Sequence, residues 1–106
     1  MEDRTGQIGV RFVSQRTGAD AAGYAEAADA MDAMAAQQPG YRGQDHVSNP
    51  SGLSITLSYW ANEASAIAWR EHPEHTATRE AGRGRWYDWY MLHVAEIRRS
   101  YSWQST

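Results

Sequence analysis

The run Leu53-Ser54-Ile55-Thr56-Leu57-Ser58-Tyr59-Trp60 decides how this chain folds. Leu53, Ile55, Leu57 and Tyr59 fall on one side of an extended chain, and Ser54, Thr56, Ser58 and Trp60 on the other. That period of two is the signature of a strand whose faces meet different surroundings. Immediately before it, Asn49-Pro50-Ser51-Gly52 supplies turn chemistry. Before the turn, residues 41–47 read as a weaker, more polar strand suited to a sheet edge. Two strands around one short turn predict a hairpin.

Downstream of the hairpin the period changes. Asn62 is placed to cap a short helix from Glu63 to about Glu71, with Ala64, Ile67 and Ala68 on one face. Pro73 opens a second segment to about Ala81, because a proline at the first helical position gives up no hydrogen bond. Gly82 and Gly84 end it. From about Tyr87 to Tyr101 a long strand is predicted, with Tyr90, Leu92 and Val94 on one face and Trp89, Met91, Ala95 and Ile97 on the other. Helices can cover one of these apolar faces. The other needs a second subunit, so a homodimer is expected.

Upstream, residues 7–14 alternate Ile8, Val10 and Phe12 with Gly9, Arg11 and Val13, which gives a first strand. Thr17-Gly18-Ala19-Asp20 provides a loop and an N-cap. Tyr24, Ala27, Ala28, Met31, Met34 and Ala35 then recur at helical spacing, opposite Glu26, Asp29 and Asp32. Pro39-Gly40 closes this helix. The order is β-α-β-β-α-β with a broken second helix. It is the split-βαβ, ferredoxin-like arrangement of the α+β class, here one domain over residues 1–106.

Composition removes several chemistries. The chain has no Cys, which excludes disulfides, thiolate nucleophiles, cysteine-bound zinc, iron–sulfur clusters and thiolate-ligated haem. All 10 basic residues are Arg, so no lysine is present to form a Schiff base with pyridoxal phosphate or a carbonyl substrate. A net charge of −3 gives no reason to expect nucleic acid or an anionic membrane as partner. No apolar run follows Met1 to Gly6, and no stretch approaches the length of a membrane span, so a cytoplasmic protein is expected. Five Trp and six Tyr against one Phe supply large rings with polar tips, suited to a pocket, an interface or simply a small core.

A longer pattern then emerges. Ser58-Tyr59-Trp60 is followed by Ala66-Ile67-Ala68-Trp69-Arg70-Glu71-His72-Pro73-Glu74-His75. Next come Gly82-Arg83-Gly84-Arg85-Trp86-Tyr87 and Tyr90, and the pattern ends on Arg98, Arg99, Ser100 and Tyr101. This resembles the antibiotic biosynthesis monooxygenase family over nearly the whole chain. The resemblance implies a dimeric α/β barrel, in which two ferredoxin-like subunits bring their sheets together and each keeps a pocket between sheet and helices. It implies a monooxygenase acting on a small aromatic or polyketide-type molecule with dioxygen and no cofactor. Two alternatives come with it: a non-catalytic, small-ligand-binding or stress-related dimer, and a haem-binding or haem-degrading relative. The chain departs from the haem-degrading branch. Residues 7–14 hold no Asn, and His75 lies closer to Trp69 than that branch places its haem ligand.

Candidate site residues follow. His75 can act as base or proton shuttle, because imidazole titrates near neutral pH. Trp69 can wall the pocket and donate one hydrogen bond, or pack under the helix break. His72 is a capping or substrate-side group. His72 and His75 at i, i+3 suggest a metal pair, but a third ligand is missing, so no metal is expected. Arg79, Arg83 and Arg85 can hold an acidic group or steady an enolate or peroxide anion, or else pair with carboxylates such as Glu80 and Asp88. Trp86, Tyr87 and Tyr90 can close the pocket or the dimer seam. Tyr24 and Asn62 complete the substrate-binding candidates, Asn62 being at its simplest an N-cap.

Overall fold

The computed structural model describes residues 2–105, so Met1 and Thr106 of the expected 1–106 domain lie outside the described residues. Seven elements follow in order: β1 (Ile8–Arg16), α1 (Ala21–Ala35), β2 (Tyr41–Ser48), β3 (Leu53–Trp60), α2 (Glu63–Arg70), α3 (Pro73–Arg83) and β4 (Tyr87–Glu96). The four strands form one antiparallel sheet in the order β2-β3-β1-β4. The ferredoxin-like order read from the sequence is therefore the fold.

Local chemistry explains the boundaries. Asp20 adopts the left-handed region (φ 48°) and its carboxylate accepts from the Gly23 N–H, which starts α1. Asn62 and Ser65 cap α2 reciprocally. His72 caps α3, its Nδ1 accepting the Glu74 N–H at 3.2 Å, and Pro73 occupies the first turn.

Two expectations need correction. β4 ends at Glu96 rather than near Tyr101. Its partner β1 begins at Ile8, directly opposite Glu96, so later residues have no ladder to join beyond the Ile97 N–H to Gln7 O bond. Tyr101 and Trp103 are left exposed. In α2 the buried residues are Ala66 and Trp69, not the expected face of Ala64, Ile67 and Ala68, and Ile67 is 44% exposed. The bulk of Trp69 wins over the combined pull of one Ile and two Ala, because a large ring gains more from burial.

The register fixes the two faces of the sheet. Trp60 stands opposite Ile8, Ser58 opposite Val10 and Thr56 opposite Phe12; across β1, Val94 faces Val10 and Leu92 faces Phe12. Trp60, 1% exposed, packs with Ala35, Ala66 and Trp69, and with Ile8, Val10, Met31, Met34 and Tyr41. This set therefore lies under the helices. In β3 the helix-side residues are thus the polar ones plus Trp60, and the apolar set Leu53, Ile55 and Leu57 faces away. On that outer face Val47, Ile55, Val13 and Met91 are successive cross-strand neighbours, an apolar row across all four strands.

Candidate functional site

The expected site residues fall into two aromatic clusters under the helices, one near each end of α3. The first is built on Trp69. Its ring stacks with Trp60 (centroids 6.4 Å apart, 24° between planes) and with His75 (4.7 Å, 12°). Tyr41 meets Trp60 edge-on at 5.6 Å, and the Trp60 Nε1–H donates to Ser58 Oγ at 3.0 Å. The break at Pro73 turns His75 back toward the helix it follows, so that its Nδ1 lies 3.1 Å from the Trp69 carbonyl oxygen. A carbonyl only accepts, so Nδ1 carries the proton and Nε2 keeps a free lone pair. Burial lowers the His75 pKa from 6.5, against the opposing pull of the Trp69 and Arg70 carbonyls, and the positive charge of Arg79 lowers it further. His75 is therefore a neutral base at pH 7.

The second cluster joins Phe12, Tyr24, Trp86, Tyr87 and Tyr90. Tyr24 meets Trp86 and Tyr87 edge-on at 5.8 and 6.0 Å, and Phe12 lies 5.6 Å from Tyr87 and 5.3 Å from Tyr90. Gly82 permits this closeness: a Cβ there would stand 2.9 Å from the Tyr87 ring and 3.1 Å from that of Trp86. Burial, with Tyr24 alongside, pushes the Tyr87 hydroxyl well above its usual range, so it stays protonated. The Arg83 Nε–H donates to Tyr90 Oη at 2.7 Å. The Arg16 guanidinium lies 4.3 Å from the Tyr24 ring centroid.

Trp69, His72 and His75 thus come together, and so do Tyr24, Arg83, Trp86 and Tyr90. Asn62 joins neither set: its side chain accepts the Ser65 N–H at 2.8 Å in the α2 cap. The three arginines expected to act together diverge. Arg83 goes to Tyr90, Arg85 pairs with Asp20 at 3.8 Å rather than with Glu80 or Asp88, and the buried Nε of Arg79 has no partner among the described residues. No group of three metal-ligating side chains occurs among the described residues. No described helix is long and apolar enough to cross a membrane.

Arg16 was missed, and Phe12 was read only as a strand residue, not as part of this cluster. With the first strand ended at residue 14, Arg16 fell outside it. Continuing the alternation Ile8, Val10, Phe12, Ser14 by one step would have put Arg16 on the helix side.

Between the clusters, β4 presents Leu92 (45% exposed) and Val94 (52% exposed) on the helix side. The helices therefore leave an apolar strip of sheet uncovered, running from Tyr90 toward the Glu96 end of β4.

Comparisons with known proteins match this fold. The model of the antibiotic biosynthesis monooxygenase family fits residues 10–81. YqjZ of Bacillus subtilis (strain 168), itself uncharacterised, is 43% identical over 77 residues, 73% of this chain and 68% of its own. Among solved structures, SnoaB of Streptomyces nogalater, a cofactor-independent oxygenase, superposes with a TM-score of 0.76 at 13% identity, covering 91% of this chain and 97% of its own. A putative antibiotic biosynthesis monooxygenase from Caulobacter crescentus gives 0.75 at 16% identity, over 89% and 92% of the two chains. At these identities the two structures speak for the fold alone.

Proposed function

We propose, from the premise that this chain belongs to the antibiotic biosynthesis monooxygenase family, that it is a cytoplasmic homodimer that oxidises a small aromatic or polyketide-type molecule with dioxygen, without a cofactor. The observation that carries the reading is the stacked Trp69–His75 pair, with Nδ1 tied to the Trp69 carbonyl, which leaves the lone pair of the neutral ring on Nε2. That is the arrangement a general base needs.

In this reading the ligand lies over Leu92 and Val94, with Tyr24, Arg83, Trp86 and Tyr90 closing the far end. His75 Nε2 removes a proton from an activated ring CH2. Arg79, whose charge is felt at His75, steadies the enolate that forms. The enolate reduces dioxygen and combines with it to a hydroperoxide, and loss of water leaves a ketone. One CH2 and one O2 become one C=O and one H2O, so the substrate supplies all the electrons. The apolar row Val47, Ile55, Val13 and Met91 is the surface on which a second copy would seat.

A second reading, a non-catalytic ligand-binding dimer, is favoured by the small size of the pocket beside Tyr24 and Trp86, which offers about 40 Å³ and is not lined by His75. One experiment separates the two. Purified protein that sediments at the two-chain mass is given a panel of anthrones, and oxygen uptake is followed. Uptake above the buffer blank, with quinone as product, supports the oxygenase. Blank rates across the panel leave the binding dimer, and sedimentation at the one-chain mass removes both.

A further inference from the structure

The pocket lined by Arg16, Gly18, Ala19, Ala21, Tyr24 and Trp86 has a cation at its wall that the reading above does not use. The Arg16 Nε is buried and has no hydrogen-bond partner among the described residues. Neither ion pair found among them involves Arg16. Its guanidinium carbon lies 4.3 Å from the centroid of the Tyr24 ring, whose face offers no lone pair to an N–H in the guanidinium plane.

The neighbouring acidic groups are engaged or uncharged. Asp20 is held by the Gly23 N–H at 3.2 Å, the Trp86 Nε1–H at 3.3 Å and Arg85 at 3.8 Å. Tyr87, opposite Arg16 in the sheet, keeps its proton. The main chain at Arg16 is also fixed, since its backbone N–H donates to Gly52 O at 3.0 Å where the β1–β4 register shifts.

A buried guanidinium donor without an acceptor is costly to keep, and a planar two-oxygen anion matches its fork. About 40 Å³ is room for a group of roughly three atoms, which is the size of a carboxylate. Walls of Tyr24 and Trp86 suit the aromatic body to which it would be attached. From Tyr90 to Val94 the uncovered strip runs about 13 Å at the rise of a strand, so such a body has apolar sheet to lie on.

We propose that Arg16 and this pocket receive the carboxylate of the ligand, and hence that the molecules taken up are aromatic carboxylic acids rather than neutral aromatics. The inference rests on the helix–sheet space being the ligand site, as read above, but not on turnover.

The test is isothermal titration of the whole protein with 2-naphthoate and its neutral isostere 2-naphthamide, repeated on R16Q and R16K with far-ultraviolet circular dichroism as the folding check. The acid is expected to bind the native protein at least about tenfold more tightly than the amide. R16Q should abolish that preference by weakening acid binding far more than amide binding, and R16K should recover part of it. Should R16Q fail to fold, the salt dependence of the native protein decides, because acid binding must weaken with salt and amide binding must not. Equal affinities for acid and amide, a preference that survives R16Q, or acid binding indifferent to salt in that fallback would overturn the assignment of Arg16 and leave the aromatic site standing. Binding of neither compound would overturn both. Neither compound carries an activated CH2, so the result is independent of oxygenase chemistry.

Discussion

The two aromatic clusters under the helices are made of the same kinds of ring and do different things. Around Trp60, the rings of Trp60, Trp69 and His75 form a stack met edge-on by Tyr41, the neighbours include Ala and Met, and polar tips are answered from within: Trp60 Nε1 by Ser58, His75 Nδ1 by a carbonyl. Around Tyr87 the rings meet edge-on and stand among Arg16, Arg83 and Arg85. The difference teaches that aromatic content alone does not mark a site. What matters is which buried polar atoms remain unanswered among the described residues: Arg79 Nε, whose charge reaches His75 at the border of the first cluster, and Arg16 Nε in the second.

Trp60→Ala is the hardest test of this contrast. It empties the most buried position of the first cluster and should cost about 3–5 kcal/mol in urea unfolding. A loss below about 1 kcal/mol would mean that the first cluster is not the core.

His75→Phe separates chemistry from packing at the border of that cluster. A phenyl ring can still stack on Trp69, so stability should fall by no more than about 1.5 kcal/mol, the worth of the lost Trp69 hydrogen bond. Oxygen uptake should fall by about 100-fold or more. The pH profile checks the same residue. Because burial lowers its pKa, activity should be flat above 6.5 and decline only at a more acidic pH. Stability should share the sign. Below 6.5 the unfolded chain binds the proton first, so the His75 contribution, complete above 6.5, is lost as pH falls toward the folded value. His75→Phe should remove that acid limb from the stability curve, and an unchanged limb would place the titration elsewhere.

The smallest effect is expected in the second cluster. Tyr90→Phe keeps the ring against Phe12 and Tyr87 but deletes the oxygen that accepts from Arg83. That bond is exposed, so the change should stay below about 1 kcal/mol. A larger loss would make the second cluster a structural core like the first.

Much of this was legible in the chain. Alternating runs located β1, β3 and β4, the turn before β3 located β2, and β3 matched residue for residue. The helical face Tyr24, Ala27, Ala28, Met31, Met34 and Ala35 is the face α1 turns inward. Cap residues Asp20, Asn62 and His72 stand where their side-chain acceptors predict. Trp69 and His75 were each legible as candidates, but their stacking was not, because it depends on how the chain turns at Pro73. Less legible was where β4 stops, because a strand ends when its neighbour does, and the neighbour lies some eighty residues away in the chain. The face of α2 was also misread: its few apolar residues point in several directions, and only packing against Trp60 selects Ala66 and Trp69.

By itself, then, the sequence determined the order of elements, their periods, their caps and the family. Those follow from short-range rules of backbone geometry and side-chain shape, which act within a few residues. Tertiary structure alone decided which alternate set of β3 meets the helices, because the handedness of the crossovers places both helical layers on one side of the sheet. That choice put Ser54, Thr56 and Ser58 under the helices, turned Leu53, Ile55 and Leu57 outward, and brought Arg16 beside Tyr24 and Tyr87. Contacts of that kind join strands and helices distant in the chain, where no local pattern can specify them.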